Sequence, residues 1–382
     1  MSAHDVHAQA QATAPTERAP AGGRIAVAMS GGVDSSVAAA LLVSQGHDVV
    51  GVHLKLHELP DVQRRDRSCC SLDDSLDARQ ACARLGIPFY VLDFRAAFAR
   101  NVIDYFVGGY AQGRTPNPCV MCNKTVKSAL LLEKVRAIGC TALATGHYAR
   151  ITRREEDGRH VLARPADRRK DQTYFLFATP RNELPHLRFP LADLDKPAAR
   201  TLAQRHGLLT WNKPDSQEVC FVPADYRDFL RERLGARPPA PGAFVDRAGR
   251  ELGRHEGLPY YTIGQRRGLG LSGAQPRYVV ALDAARNQVV LGSEAELFAD
   301  RLRVAQVNWV SCDDLAGPLR ATVKVRYAHA GTPATLTPRG DTWHVRFDEP
   351  VRAITPGQAA AFYDGDVLLG GGWIVGDAPG TP

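Results

Sequence analysis

Ile25-Ala26-Val27-Ala28-Met29-Ser30-Gly31-Gly32-Val33-Asp34-Ser35-Ser36 decides how this chain reads. The first five residues form an apolar run that predicts a buried strand. The glycines let the backbone turn and approach a ligand closely. Val37 to Gln45 is a strong helix former, with Gly46 as its stop. The amides of the first helical turn point into the loop and, with the helix dipole, make an anion site to which Ser30, Ser35 and Ser36 add hydroxyls. The loop is neither G-x-x-x-x-G-K-[ST] nor G-x-G-x-x-G. Asp34 is out of place beside an anion unless Mg²⁺ or an amide partner accounts for it.

Outward from the loop, Val49 to Leu56 reads as the next strand, giving a βαβ unit and hence a parallel sheet. Leu72 to Leu85 reads as a helix and Pro88 to Phe94 as a strand. Val102, Ile103, Phe106, Val107 and Tyr110 line one helical face. Arg114 to Lys124 reads as a loop, Leu131 to Ile138 as a helix and Ala142 to Ala144 as a strand. After about Pro214 helical periodicity fades. Short β-rich runs follow, among them Tyr260 to Ile263, Arg277 to Leu282, Gln288 to Leu291, Ala321 to Tyr327, Thr342 to Phe347 and Ala359 to Tyr363. The expected class is α/β: a parallel sheet with helices on both faces, then a small β-rich linking domain and a C-terminal β-barrel. The expected divisions are a disordered tail over 1–23, a catalytic domain over 24–214, a central domain over 215–300 and the barrel over 301–378.

The chain has 382 residues, 44% hydrophobic and 23% charged, which excludes a fibrous or disordered protein. Its longest apolar run, Val37 to Val43, falls far short of the roughly 18 residues of a membrane span. A net charge of +7 suits an acidic partner without requiring one. The 8 cysteines are too sparse for a disulfide scaffold. Residues 1 to 23 lack the apolar core of a secretory signal, so cytosolic thiols and a cytoplasmic location are expected.

Arg114-Thr115-Pro116-Asn117-Pro118-Cys119-Val120-Met121-Cys122-Asn123-Lys124 carries the second signal. Its prolines fix an extended segment. Lys124, Lys127 and a nearby helix start favour thiolate. A zinc site, an iron–sulfur cluster using a third cysteine, and sulfur or redox chemistry with a distant thiol all compete for the Cys119/Cys122 pair. Cys220, within Asp215 to Val222, is a candidate partner or a buried small hydrophobe. His147 is given no catalytic part, and Cys69 and Cys70 are given only packing.

The strand, loop and helix around Ser30 to Ser36 resemble the PP-loop ATP pyrophosphatases. With Arg114 to Lys124, Thr145 to Ala149, Lys170 to Tyr174, Asp215 to Phe221, Tyr261 to Gly270, Lys324 to Tyr327 and Thr355 to Trp373, the resemblance narrows to the tRNA-specific 2-thiouridylases. It implies that Ala28, Met29, Ser30, Gly31, Gly32, Val33, Asp34 and Ser35 bind ATP phosphates, and that Leu54 and Gly146 contact the nucleotide. Asn117, Pro118 and Cys119 lie at the target base; Lys170, Asp171, Gln172, Arg326 and Tyr327 touch tRNA. Cys220 carries a persulfide, and Cys122 is the second catalytic thiol, ending in a disulfide with Cys220. The implied cofactors are ATP and Mg²⁺, with no iron–sulfur cluster or zinc. The implied partners are tRNAs such as those for Lys, Glu and Gln, and a cysteine desulfurase or sulfur-relay carrier. Two departures stand out: Leu54 replaces the family's usual Met, and Cys119 replaces an Asp that many members use as acid/base.

The implied reaction adenylates the C2 oxygen of uridine-34 and then moves sulfur to C2. Three further expectations follow. Pro214 to Tyr226 orders when tRNA docks. Arg164, Arg168, Arg169 and Lys170 contact phosphate. Arg326 and Tyr327 offer a cation and a stacking face. The competing functions are a PP-loop ligase or amidase acting on a small molecule, and a tRNA-binding protein without catalysis.

Overall fold

The structure is a computed structural model that describes residues 23–57, 72–215, 219–222, 225–235, 237–271, 275–313 and 315–375. Apart from Gly23, the expected tail lies outside these residues, as do Cys69 and Cys70.

Strands β1 (Arg24–Ala28), β2 (Val49–Lys55), β3 (Phe89–Asp93) and β4 (Cys140–Ala144) are parallel neighbours. The hairpin β5 (Arg150–Arg153) and β6 (His160–Ala163) then leaves the sheet, and β7 (Leu187–Arg188) returns to it. The resulting order is β3-β2-β1-β4-β7. Alternation along β1 assigns the two faces. Ile25 and Val27 pack under helices α1 (Val33–Ser44) and α2 (Leu72–Leu85), together with the Lys196–Arg205 helix. Ala26 packs on the other face, under the helical run from Arg95 to Ala111 and the one from Pro118 to Ala137. Helices therefore cover both faces.

A four-stranded sheet follows, in the order β10-β11-β8-β9: β8 (Gly242–Val245), β9 (Glu251–His255), β10 (Tyr278–Asp283) and β11 (Gln288–Gly292). The last six strands are β12 (Phe298–Asn308), β13 (Leu319–Lys324), β14 (Thr332–Arg339), β15 (Thr342–Arg352), β16 (Ala359–Asp364) and β17 (Val367–Ile374). They are antiparallel in the order β12-β15-β14-β13-β16-β17, and a β12–β17 pairing closes the barrel. Trp309 and Trp343 meet edge to face inside it at 5.0 Å.

Several sequence expectations change. The loop predicted over Arg114 to Lys124 becomes helical at Pro118, because Asn117 Oδ1 accepts from Val120 N and proline suits the first helical turn. Tyr260 to Ile263 forms no strand. Leu258–Tyr260 is instead a 3₁₀ turn, and Tyr260 and the following Tyr261 are buried in the core. Tyr226–Leu234 is a helix within the stretch read as β-rich, capped by Asp225. The strand predicted from Ala321 ends at Lys324. Finally, β6 pairs with β17, so the first 200 residues lend a hairpin to the barrel's sheet.

Candidate active site

The glycine loop leaves the C-terminal end of β1, where ligands of open parallel sheets bind. Gly31 has φ +75°, and a Cβ there would lie 2.2 Å from the Asp74 carbonyl oxygen, so α2 presses on the loop. Ser35 Oγ accepts from Ser30 N at 3.1 Å, and Ser35 and Ser36 donate to the Gly32 carbonyl. Gly32 caps α1 with no side-chain hydrogen bond, so the first-turn amides remain available to an anion. His53 is kept neutral by burial and donates from Nδ1 to the Met29 carbonyl at 2.8 Å. A Cβ on Gly146 would come within 2.7 Å of Asp34 C and Ser35 N, so the β4 end walls the loop. Leu54 is buried two residues beyond the β2 position that pairs with Ala28. These features fit a nucleotide polyphosphate.

They do not fit a metal held by the protein. Lys196 Nζ grips both Asp34 oxygens, at 2.7 and 2.8 Å, and the Tyr148 hydroxyl donates to the same carboxylate at 3.0 Å. Asp34 is thereby accounted for by a cation and a phenol rather than by Mg²⁺ or an amide. No cluster of three ligating side chains exists among the described residues.

The cysteine loop is braced by the barrel. Thr115 N donates to the Pro356 carbonyl at 2.9 Å, and Gln358 Nε2 donates to the carbonyls of Thr115 and Pro116 at 3.0 and 3.3 Å. Cys119 is exposed and Cys122 is buried. Contrary to the expected thiolate, burial pushes the Cys122 thiol up, and Lys127 only partly offsets this.

Cys220 is half-buried and, with Val219, packs against the apolar cluster that contains Cys122. The next residue, Phe221, sits edge-on to Phe98 and Phe106 at 5.7 and 5.2 Å. The structure thus brings the two distant segments to one face of the sheet. Cys82, Cys119, Cys122, Cys140, Cys220 and Cys312 are thiols, with no disulfide among the described residues. Of the segment expected to order on docking, residues 216–218, 223 and 224 lie outside those described.

Lys170, Asp171 and Gln172 lie between loop and barrel. Lys170 Nζ contacts Asp215 at 2.7 Å. Asp171 is buried, accepts from Thr173, and faces Arg164 at 3.6 Å and Lys324 at 3.9 Å. Gln172 exchanges hydrogen bonds with the Tyr148 backbone at 2.9 and 3.0 Å. On the barrel, Arg326 donates to the Arg352 carbonyl at 2.7 Å, and Tyr327 stacks on Phe175 at 4.8 Å with an edge exposed. The basic cluster is largely engaged within the molecule: Arg164 covers the Tyr363 ring, Arg168 pairs with Asp366, and exposed Arg169 lies 3.5 Å from Asp167.

Sequence reading missed Tyr148, Lys196, Lys213 and Gln358. Lys213 Nζ reaches the Gly31 carbonyl at 3.1 Å and Asp74 and Asp77 at 2.6 Å each. The only local signal near Lys196 was the helix start Asp195-Lys196-Pro197, where Asp195 caps Ala198. That signal announces a helix, not a partner in the loop.

Three family profiles match the chain in succession: a tRNA methyl transferase HUP domain over residues 23–224, a tRNA methyl transferase PRC-barrel domain over 227–293, and an aminomethyltransferase β-barrel domain over 299–374. Among curated proteins, the tRNA-specific 2-thiouridylase MnmA of Geobacter metallireducens is 51% identical, over 92% of this chain and 96% of its own. The proteins of the same name from Magnetococcus marinus and Clostridioides difficile are 49% and 46% identical, over 92% of this chain and 99% and 98% of theirs. A solved 4-thiouridine synthetase–RNA complex with bound ATP is far looser: 16% identical, covering 56% of this chain and 51% of its own, with TM-score 0.35. The profile descriptions speak of methyl transfer, but near-full-length identity to thiolases decides the activity. The chain therefore belongs to the tRNA-specific 2-thiouridylase family, as a tRNA sulfurtransferase of the ATP-using PP-loop class.

Proposed function

We propose that the chain 2-thiolates uridine-34 of tRNA by adenylating the C2 oxygen and then replacing it with sulfur. A carbonyl oxygen is a poor leaving group; as part of AMP it is a good one. Residues Ala28 to Ser35, with Leu54 and Gly146, hold the nucleotide, and the loop amides stabilise charge on the departing pyrophosphate. Mg²⁺ enters as part of the nucleotide, and no step uses a metal held by the protein. Asn117, Pro118 and Cys119 face the flipped base; extrusion costs about a few kcal/mol. Lys170, Asp171, Gln172, Arg326 and Tyr327 seat the tRNA, largely by shape and backbone contact.

A carrier of the desulfurase or relay class loads Cys220 with a persulfide. In one route its outer sulfur attacks C2 and AMP departs with the original oxygen; Cys122 then attacks the inner sulfur. In the other, Cys122 attacks the inner sulfur first, and the hydrosulfide this releases adds to C2 as AMP departs with the original oxygen. Both end in a Cys122–Cys220 disulfide that a reductant must open. The reaction takes place in the cytoplasm, on tRNAs such as those for Lys, Glu and Gln.

The observation that carries this reading is that Cys122 and the Cys220 segment share one apolar cluster, while the same segment begins at Asp215, which shares Lys196 with the loop. The test is incubation with ATP, Mg²⁺, a persulfide donor and unmodified tRNA. Sulfur incorporation should vanish in Cys122→Ser and in Cys220→Ser and survive in part in Cys119→Ser. Wild-type-like thiolation in either of the first two overturns the assignment.

A further inference from the structure

His57 stands just past the end of β2, and nothing in the reaction described above uses it. It is only 8% exposed. Its ring lies 6.0 Å from Phe98, and Phe98 in turn meets Phe221, the neighbour of Cys220, at 5.7 Å. Both ring nitrogens are buried, and neither completes a hydrogen bond. Burial keeps the imidazole neutral, and the Cys220 main chain opposes this by favouring the charged ring. A group that favours the charged ring is an acceptor, so the Cys220 carbonyl faces His57. Its approach falls short of a full hydrogen bond. An unpaired buried polar group costs stability, so an imidazole left in this state calls for a partner.

We infer that His57 is a positioning residue for the sulfur that Cys220 carries, held by a hydrogen bond to the imidazole. This rests on the reading of Cys220 as the sulfur-bearing thiol. A neutral imidazole has one N–H and one bare nitrogen. It can therefore donate to an ionised persulfide or accept from a protonated one. The Cys220 carbonyl accepts only and serves the N–H at most, which leaves the bare nitrogen without a donor. A persulfide is one sulfur longer than the thiol, so it extends the reach of Cys220 beyond its own Sγ. The remaining surroundings given by the rings of Phe98 and Phe221 are apolar, so a hydrogen bond made there is not weakened by competing water. The chemical use is direction: a persulfide turns freely about its bonds, and one fixed contact limits where its outer sulfur points.

The test uses the full chain, with glutathione persulfide as the sulfur source. Loading of Cys220 is read by mass spectrometry of its peptide, and thiolation of unmodified tRNA by the loaded enzyme is followed in a single turnover. His57→Phe keeps a ring against Phe98 but removes both nitrogens. Its single-turnover thiolation should slow about tenfold or more, the worth of one hydrogen bond to a charged group. His57→Asn and His57→Gln each keep a donor and an acceptor, and at least one of them should recover most of the rate. A ring that only filled space would give the opposite order, with Phe ahead of both amides. A second measurement needs only the wild type, labelled with ¹⁵N in its histidines. The His57 ring signal should move when Cys220 is loaded and stay in place when Cys220→Ser is treated alike. The inference is overturned if His57→Phe thiolates as the wild type does, if it outpaces both amides, or if the ring signal ignores loading. Failure of wild-type Cys220 to take up sulfur at all overturns the reading of it as the sulfur-bearing thiol, and the inference with it.

Discussion

The Gln358 amide, just before β16, donates to the Thr115 carbonyl in the cysteine loop, 243 residues away in sequence. A barrel residue thus fixes the backbone that presents Cys119 and Cys122. The neighbouring Gly357 sits so close that a Cβ would lie 3.0 Å from Thr115 N. Gln358→Ala removes two hydrogen bonds, each worth about 0.5–1.5 kcal/mol. Thiolation should fall about tenfold, in kcat more than in the KM for ATP, because the loop carrying the thiols is loosened while the nucleotide loop is not. Steady-state kinetics checks this, and an unchanged kcat would count against the brace.

Gly146→Ala tests the wall of the nucleotide loop. The new methyl would meet the Asp34 and Ser35 backbone at 2.7 Å, which cannot rotate away as a side chain could. Overpacking of this kind costs about 1–3 kcal/mol. The KM for ATP should rise about tenfold or more, measured by pyrophosphate release; a variant with wild-type KM would show that the loop lies elsewhere.

Cys122 should label late. Burial pushes its thiol up and Lys127 pulls it part of the way back. Peptide-resolved alkylation of the resting enzyme should therefore modify exposed Cys119 well before Cys122 at pH 8. Lys127→Gln should move the Cys122 labelling profile to higher pH, because loss of a nearby cation disfavours thiolate. A shift to lower pH would contradict the electrostatics.

The barrel should weaken in acid through His329. Burial, with Arg326 and Lys324 alongside, pushes its imidazole down to about 4, from the usual 6.5. Its nitrogens meet Val325 N and Thr332 Oγ1, both at 3.3 Å, holding the turn that bears Arg326 and Tyr327. The unfolded chain takes up this proton first. The contribution to stability is thus complete above about pH 6.5 and is lost as pH falls through about 4. The unfolding temperature between pH 7 and 4 should fall less steeply in His329→Gln than in the wild type, and equal slopes would remove His329 from the account.

The local signals in the sequence were those that short-range physics controls. An apolar strand, two glycines and an alanine-rich helix specify β1, the loop and α1, because periodicity and backbone freedom are properties of neighbouring residues. The same holds for the helical face from Val102 to Tyr110 and the alternating strands of the barrel. Where the reading failed, a local preference was overruled. Tyr260 and Tyr261 look like strand residues but are buried beside a 3₁₀ turn, and the two prolines before Cys119 suggested extended chain until Asn117 capped a helix.

The chain alone marked out candidates for chemistry: a loop of the kind that can hold phosphate, and cysteines at 119, 122 and 220. Only the tertiary structure decided their company. Asp34 meets Lys196 across 162 residues, Thr115 meets Gln358 across 243, and Cys122 lies buried where the nearby lysines and helix start suggested a thiolate. A cation's partner and a thiol's solvent access depend on which elements pack together, and no local period in a sequence encodes that.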